Sequence, residues 1–262
     1  MLVLKLLLTP AIMAAATLVG RRYGRLATGW LVGLPLTSGP INAFFAAEHG
    51  PRFAARAAVG SLSGAIGEVA FCVGYAATAR RGWASGVAAG SAGFAAVAVI
   101  VESLHLTARP GEVLGLAALV VAALFLGLWL VPHVPPAFDA PALTPSRWDL
   151  PARAVTATVV LLALTALATT LGARLSGLLA VYPLYTVVLA AFAQRQEGRS
   201  GAVQILRGLL VGLFSFAAFY AVLALALGRL DSVTAYVLAF AGAFVVQVIT
   251  LRPLLRLADT AA

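Results

Sequence analysis

The stretch GWLVGLPLTSGPINAF, Gly29 to Phe44, decides how the chain reads. It is apolar enough for a bilayer, yet Pro35 and Pro40 interrupt it. A proline removes one helical donor and pushes away the carbonyl four residues back. Pro35 therefore frees the Leu31 carbonyl, and Pro40 that of Leu36. In lipid such a break is tolerated only where protein buries it or where it lines a wet cavity. A second stretch, GLLAVYPLYTVVLAAF from Gly177 to Phe192, carries Pro183 at the same place. Broken segments at matching positions of two halves are the sequence mark of a transporter's binding site.

A shift of about 148 positions, the separation of Gly29 from Gly177, aligns the halves without gaps. It brings Gly24 onto Gly172, Pro35 onto Pro183, Leu36 onto Leu184 and Phe44 onto Phe192. Gly50 then meets Gly198, Gly60 meets Gly208 and Gly64 meets Gly212. Matches of Ala and Leu are cheap in such a chain. Glycines and a proline at kept spacing carry backbone roles and weigh more.

The remaining composition fixes the class. Hydrophobic residues make up 62% and charged residues 10%, against roughly a quarter charged in soluble domains. Mean hydropathy is +1.00. Runs of about twenty apolar residues, enough to span a bilayer, recur along the chain. The expectation is an all-α polytopic membrane bundle of nine spans, near 2–20, 26–47, 53–79, 84–103, 112–132, 151–171, 174–193, 202–228 and 233–251. All of 1–262 forms one membrane domain. A first repeat covers 1–105, a linker helix and cytoplasmic loop cover 106–150, and a second repeat covers 151–262. The loop His133 to Leu150 is proline-rich and suits a semi-extended linker.

The net charge of +9 marks cytoplasmic loops rather than nucleic-acid binding. Arg21, Arg22 and Arg25 follow the first span, Arg80 and Arg81 the third, and Arg195 and Arg199 the seventh. Arg147 and Arg153 precede the sixth, and Arg252 and Arg256 follow the ninth. These clusters fall on alternate loops, which places the N-terminus outside and the C-terminus in the cytoplasm. The arginines after the first span reverse a signal peptide's charge bias, so that span is expected to be retained. Cys72 is the only cysteine, which rules out an intrachain disulfide. Lysine occurs once, at Lys5, and the arginine bias fits a GC-rich bacterial genome. An odd span lies between the copies, so the second copy is inverted relative to the first. Inverted repeats give two near-equivalent packings around one site.

The second copy, RLSGLLAVYPLYTVVLAAFAQRQEGRSGAVQILRGLLVGLFSFAAFYAV, runs from Arg174 to Val222. It resembles the GlpM-like family of small four-helix bacterial inner-membrane proteins. The shared features are G-L-x-x-x-x-P at Gly177 to Pro183, the polar turn around Gly198, and the basic start of the next helix near Arg207. The resemblance covers spans six to nine and, more weakly, spans one to four. It implies a bacterial inner-membrane protein of a family associated with alginate production, supporting envelope-polysaccharide synthesis or export. This chain departs from the family by its duplication and by Glu68.

Glu68 sits mid-span in SLSGAIGEVAFCVGY. A carboxylate there is costly and by default marks an ion or substrate pathway. The bland alternative is a neutral, hydrogen-bonded structural glutamate. Phe216 is its counterpart, so one carboxylate serves the whole site. Pro35, Thr37, Ser38 and Asn42 at the first break, and Tyr182, Pro183, Tyr185 and Thr186 at the second, complete the candidate solute- or ion-binding set. The same polar groups could instead re-satisfy carbonyls of two kinked packing helices. Gly60/Gly64, Gly208/Gly212 and Gly86/Gly90 are GxxxG pairs that pack helices within the chain or across a homodimer. Arg56 and Arg207 are placed to snorkel to headgroups.

Glu102 and His105 share a helical face, but a di-metal bundle needs several such pairs. Neither a metal site nor a cofactor motif is expected. No nucleophile–base pair or phosphate loop supports an enzyme. Two functions remain: a secondary transporter of a small solute, with protons as a coupling option, and a non-transporting membrane subunit for envelope polysaccharide.

Overall fold

The computed structural model describes residues 2–36, 38–103, 108–134, 148–170 and 182–259. Thr37, His105, Arg147, Arg174 and the stretch 171–181 that opens the second break lie outside the described residues. Among the described residues the fold is all-helical, in the order α1 (Leu2–Tyr23), α2 (Arg25–Val32), α3 (Ser38–His49), α4 (Pro51–Thr78), a 3-10 turn (Ala79–Arg81), α5 (Trp83–Ser103), α6 (Pro110–Leu130), α7 (Asp149–Thr170), α8 (Leu184–Ala226) and α9 (Ser232–Asp259). Five helical stretches are long and apolar enough to cross a bilayer: Pro51–Arg81, Trp83–Val101, Pro110–Leu130, Leu184–Ala226 and Ser232–Thr250. Their outward faces are apolar too. Trp129 on α6 is 79% exposed and Phe244 on α9 is 70% exposed. Apolar surface on this scale needs lipid or protein over it, and the five apolar helices are compatible with an integral membrane protein.

The expected second span is two helices. After α2 the chain leaves helical geometry over 33–37, and α3 starts at Ser38. The carbonyl that Pro35 frees, Leu31, accepts the Leu34 amide at 3.2 Å. Pro40, expected to interrupt the helix together with Pro35, lies inside the helix that follows the break. It lies in the first turn of α3, where amides have no helical acceptor and proline costs nothing.

The two breaks share their backbone bonds. Leu36 donates to the Leu34 carbonyl at 2.7 Å, and Leu184 donates to that of Tyr182 at 2.7 Å. Gly39 closes on the Pro35 carbonyl at 3.0 Å, and Val187 on that of Pro183 at 3.0 Å. Each helix that follows a break ends at a matched glycine. Gly50 has φ 86 and Gly198 has φ 69, a left-handed region that side chains resist. Gly50 separates α3 from α4. Gly198 bends α8 into arms 184–197 and 199–226, so the expected polar turn there is a sharp bend.

The core lies between α4 and the 199–226 arm, where Leu62, Phe71, Tyr75, Leu206, Phe219 and Tyr220 are fully buried. The two run in opposite directions. Late in α4, the Cys72 thiol donates to the Leu206 carbonyl, early in the arm, at 3.9 Å. Early in α4, Ser61 lies beside Tyr220, late in the arm. The glycine pairs behave unequally. Gly208 and Gly212 let α2 approach backbone to backbone at Leu26, Trp30 and Gly33, while Gly86 and Gly90 seat the rings of Tyr75 and Phe71. Both pack helices within the chain. Gly60 has nothing within 4 Å of a Cβ built on it among the described residues.

Candidate functional site

Glu68 lies in α4, about 15 Å of helix from Thr78 and about 25 Å from Pro51 at 1.5 Å per residue. Among the described residues it has no hydrogen bond or ion pair. Its charge is felt at Cys72, one turn on, and at the Tyr220 hydroxyl across the helix interface. Tyr220 is fully buried, and the hydroxyls of Ser38 and Ser61 lie against its own. The groups around that hydroxyl are Ser38, Ser61, Tyr236 and Glu68.

Four elements supply this cluster. The first break delivers Ser38 at the start of α3, and Asn42 follows one turn later. Asn42 is buried; its Nδ2 donates to the Ala54 carbonyl at 3.1 Å. The Tyr236 hydroxyl, from α9, donates to Asn42 Oδ1 at 2.6 Å. Both ends of the amide are therefore committed, which fixes α3 against α4 and α9. The Phe216 and Phe219 rings flank Tyr220 at 4.6 and 5.0 Å between centroids.

The second break is tied down differently. The Tyr182 and Ser91 hydroxyls share a hydrogen bond of 2.6 Å, and the Tyr182 ring sits edge-on to Phe94 and Phe71. The Tyr185 and Thr9 hydroxyls share one of 3.1 Å. Pro183 and Thr186 are buried beside them. The structure sets Ser38 against Tyr220 and Asn42 against Tyr236, while Glu68 has no contact with either among the described residues' hydrogen bonds and ion pairs. Tyr182 reaches the same α4 segment through Phe71, while Tyr185 points to α1. Pro35 is buried at the first break.

Tyr220, Tyr236 and Ser61 were not picked out from sequence. A lone hydroxyl in an Ala- and Phe-rich helix reads as packing. The one available signal was position: the shift that joins the breaks also carries Cys72, one turn from Glu68, onto Tyr220.

A second polar cluster closes one end of the bundle. Arg153 is fully buried. Its Nε donates to Asp149 Oδ1 at 2.9 Å and its Nη2 to Gln196 Oε1 at 2.8 Å. Gln196 Nε2 donates back to Asp149 Oδ1 at 2.6 Å. Arg21 reaches Asp149 at 3.5 Å. Arg25 Nε donates to Glu197 Oε1 at 2.7 Å, and Arg25 Nη2 to Gln196 at 3.2 Å. The Arg153 guanidinium also lies 5.3 Å from the Phe192 ring centroid. Burial opposes the charge on Asp149, but Arg153, Gln196 and Arg21 outweigh it and hold its carboxyl below the ordinary value.

Close by, Gln194 Nε2 donates to the Ala79 carbonyl at 2.6 Å and Arg195 stacks on Trp83 at 5.2 Å. The ends of α1 and α4, the start of α7 and the Gly198 bend therefore meet at one end. Arg207 joins them rather than reaching for headgroups. Its Nη1 donates to the Leu128 carbonyl at 2.9 Å and to that of Val131, so it caps the last turn of α6. Arg56 is exposed.

Among the described residues no three His, Cys, Asp or Glu groups gather as metal ligands. No protein-family model, curated protein or solved structure matches the chain.

Proposed function

We propose that the protein is a secondary transporter of a small solute, with Glu68 as its ion- or solute-binding carboxylate and protons as the coupling option. The reading rests on the matching backbone bonds at Pro35 and Pro183, on the antiparallel packing of α4 against the 199–226 arm, and on a carboxylate near the middle of α4. Gly198 lies at the end of the bundle where α4 finishes, because its neighbours Gln194 and Arg195 touch Ala79 and Trp83. Gly50, its sequence match, lies where α4 begins. Matched points at opposite ends are what an inverted repeat requires, and a parallel repeat would put them together. The antiparallel packing of α4 on the 199–226 arm agrees: these helices are sequence equivalents, and a two-fold in the membrane plane reverses one against the other.

Inverted halves can exchange conformations, which opens a central site to each side in turn. The arginine-rich end is cytoplasmic on the positive-inside argument, which puts the N-terminus outside and the C-terminus inside a bacterial inner membrane. There Arg21 and Arg25 from the first half bond Asp149, Gln196 and Glu197 from the second, so this network holds the halves together at that end.

Uptake by the purified protein in liposomes tests the proposal. Glu68→Gln keeps the side chain's shape and removes its charge. It is expected to fold and insert while losing pH-driven uptake. Unchanged uptake across a range of pH would make the carboxylate structural and overturn the mechanism.

A further inference from the structure

The arginine-rich end holds more cations than its own acids can pair. Among the described residues its acids are Asp149 and Glu197, and Arg21, Arg25 and Arg153 take both. Arg80, Arg81 and Arg195 are exposed and form no ion pair among the described residues. They stand on two turns that touch. Gln194 Nε2 donates to the Ala79 carbonyl at 2.6 Å, and the Arg195 guanidinium lies 5.2 Å from the Trp83 ring centroid. Arg80 and Arg81 fall between Ala79 and Trp83 in the chain. Three unpaired positive charges on one rim repel one another and draw an anion.

An apolar stripe starts at the same rim. Trp83 opens α5 and is 40% exposed. Ala84, Ala88, Ala92, Ala95 and Val99 are exposed too, and their spacing of three or four residues puts them on one helical face. From Ala84 to Val99 the stripe runs about 22 Å at 1.5 Å per residue, more than the roughly 15 Å that one leaflet's tails occupy.

A ligand that meets both features is anionic at one end and hydrocarbon at the other. A free phosphate satisfies the arginines and leaves the stripe bare. A zwitterionic lipid covers the stripe but brings its own cation to the arginines. Guanidinium groups grip phosphate oxygens through paired N–H donors, and tryptophan favours headgroup depth.

We infer that this rim binds an anionic phospholipid. Arg80, Arg81 and Arg195 hold the headgroup phosphate, the Trp83 ring lies at headgroup depth, and an acyl chain follows the α5 stripe. Such a site is independent of the transport reading, since a bundle that binds lipid need not carry a solute.

The probe is dioleoylphosphatidylglycerol against dioleoylphosphatidylcholine, which has the same tails and a zwitterionic head. The full-length protein is placed in nanodiscs with equal amounts of both, and native mass spectrometry counts the lipids it retains on release. Retained phosphatidylglycerol is expected to exceed phosphatidylcholine by about fivefold or more. Arg80→Gln, Arg81→Gln and Arg195→Gln combined are expected to bring the ratio near parity. Arg195→Gln alone leaves the Gln194 contact in place and is expected to cut the ratio by about twofold or more, so the test does not depend on the triple variant folding. Arg52→Gln with Arg56→Gln, at the opposite end of α4, is expected to keep the native ratio.

A native ratio near parity overturns the inference. So does a preference that survives the triple variant, or one that falls as far in the Arg52 and Arg56 variant. Calorimetric titration with inorganic phosphate separates the sources of the anion. Saturable phosphate binding that needs the three arginines, without a lipid preference, would assign them to a free anion and overturn the lipid site.

Discussion

Two polar clusters in this molecule are built on opposite terms. At the arginine-rich end, Arg21, Arg25 and Arg153 meet Asp149, Gln196 and Glu197 in ion pairs and hydrogen bonds, although Arg153 Nη1 is buried without a partner. In the middle of α4, Glu68 has no ion pair or hydrogen bond among the described residues. The first cluster joins parts of the chain far apart in sequence and uses up its charge in doing so. The second leaves its charge unspent. Closed polar networks hold a fold in one arrangement; open ones mark where a ligand completes the bonding.

The largest expected effect tests the closed cluster. Arg153→Met removes the buried cation and leaves Asp149, only 8% exposed, with Arg21 and Gln196 alone. Removing one member of a buried pair costs about 3–5 kcal/mol. Thermal unfolding of the detergent-purified protein should show a large drop for the single variant. Asp149→Asn combined with Arg153→Met should recover part of it, since no carboxylate is then left behind. A single variant that melts like the native protein would show that the network does not hold the halves together.

That cluster was half visible in the sequence. The arginines stood out as loop charges, and their alternation placed them on one side. Their partners did not stand out, because Gln196 and Glu197 read as an ordinary polar turn, and Asp149 as the tail of a linker. The breaks were legible because proline acts on the backbone through its own ring, whatever surrounds it. Pro40 misled for the complementary reason: its effect depends on where the helix starts, which the residues did not say. Glu68 was legible because a mid-span carboxylate has no cheap explanation. Tyr220 was not, because the setting of its hydroxyl is made by residues of other helices.

Two tyrosines separate committed from uncommitted polarity. Tyr236→Phe deletes the donor that satisfies Asn42 Oδ1 and leaves that buried oxygen unpaired, which costs about 1–3 kcal/mol. Tyr220→Phe deletes a hydroxyl that faces only those of Ser38 and Ser61, which can turn to other acceptors, so the loss should stay below about 1 kcal/mol. The two melting temperatures should therefore move apart, with Tyr236→Phe the lower. Equal losses would mean that Tyr220 is a structural donor after all, and that the open cluster is closed.

The smallest effect is a pH dependence confined to the closed cluster. Asp149 has its carboxyl held below the ordinary value by Arg153, Gln196 and Arg21, against the opposing effect of burial. A carboxyl that is more acidic when folded adds stability that is fully present above its unfolded value, near 3.9. That stability is lost as pH falls through the folded value, because the proton then binds and the ion pairs to Arg153 and Arg21 fail. The native protein and Asp149→Asn should thus differ by a constant amount from pH 7 down to about pH 5. Below about pH 4 the difference should shrink, as the native protein acquires the neutral side chain that the variant already has. Melting curves of both proteins across that range make the measurement. A difference that persists undiminished at pH 3 would mean that Asp149 stabilises the bundle end through its shape and hydrogen bonds rather than its charge.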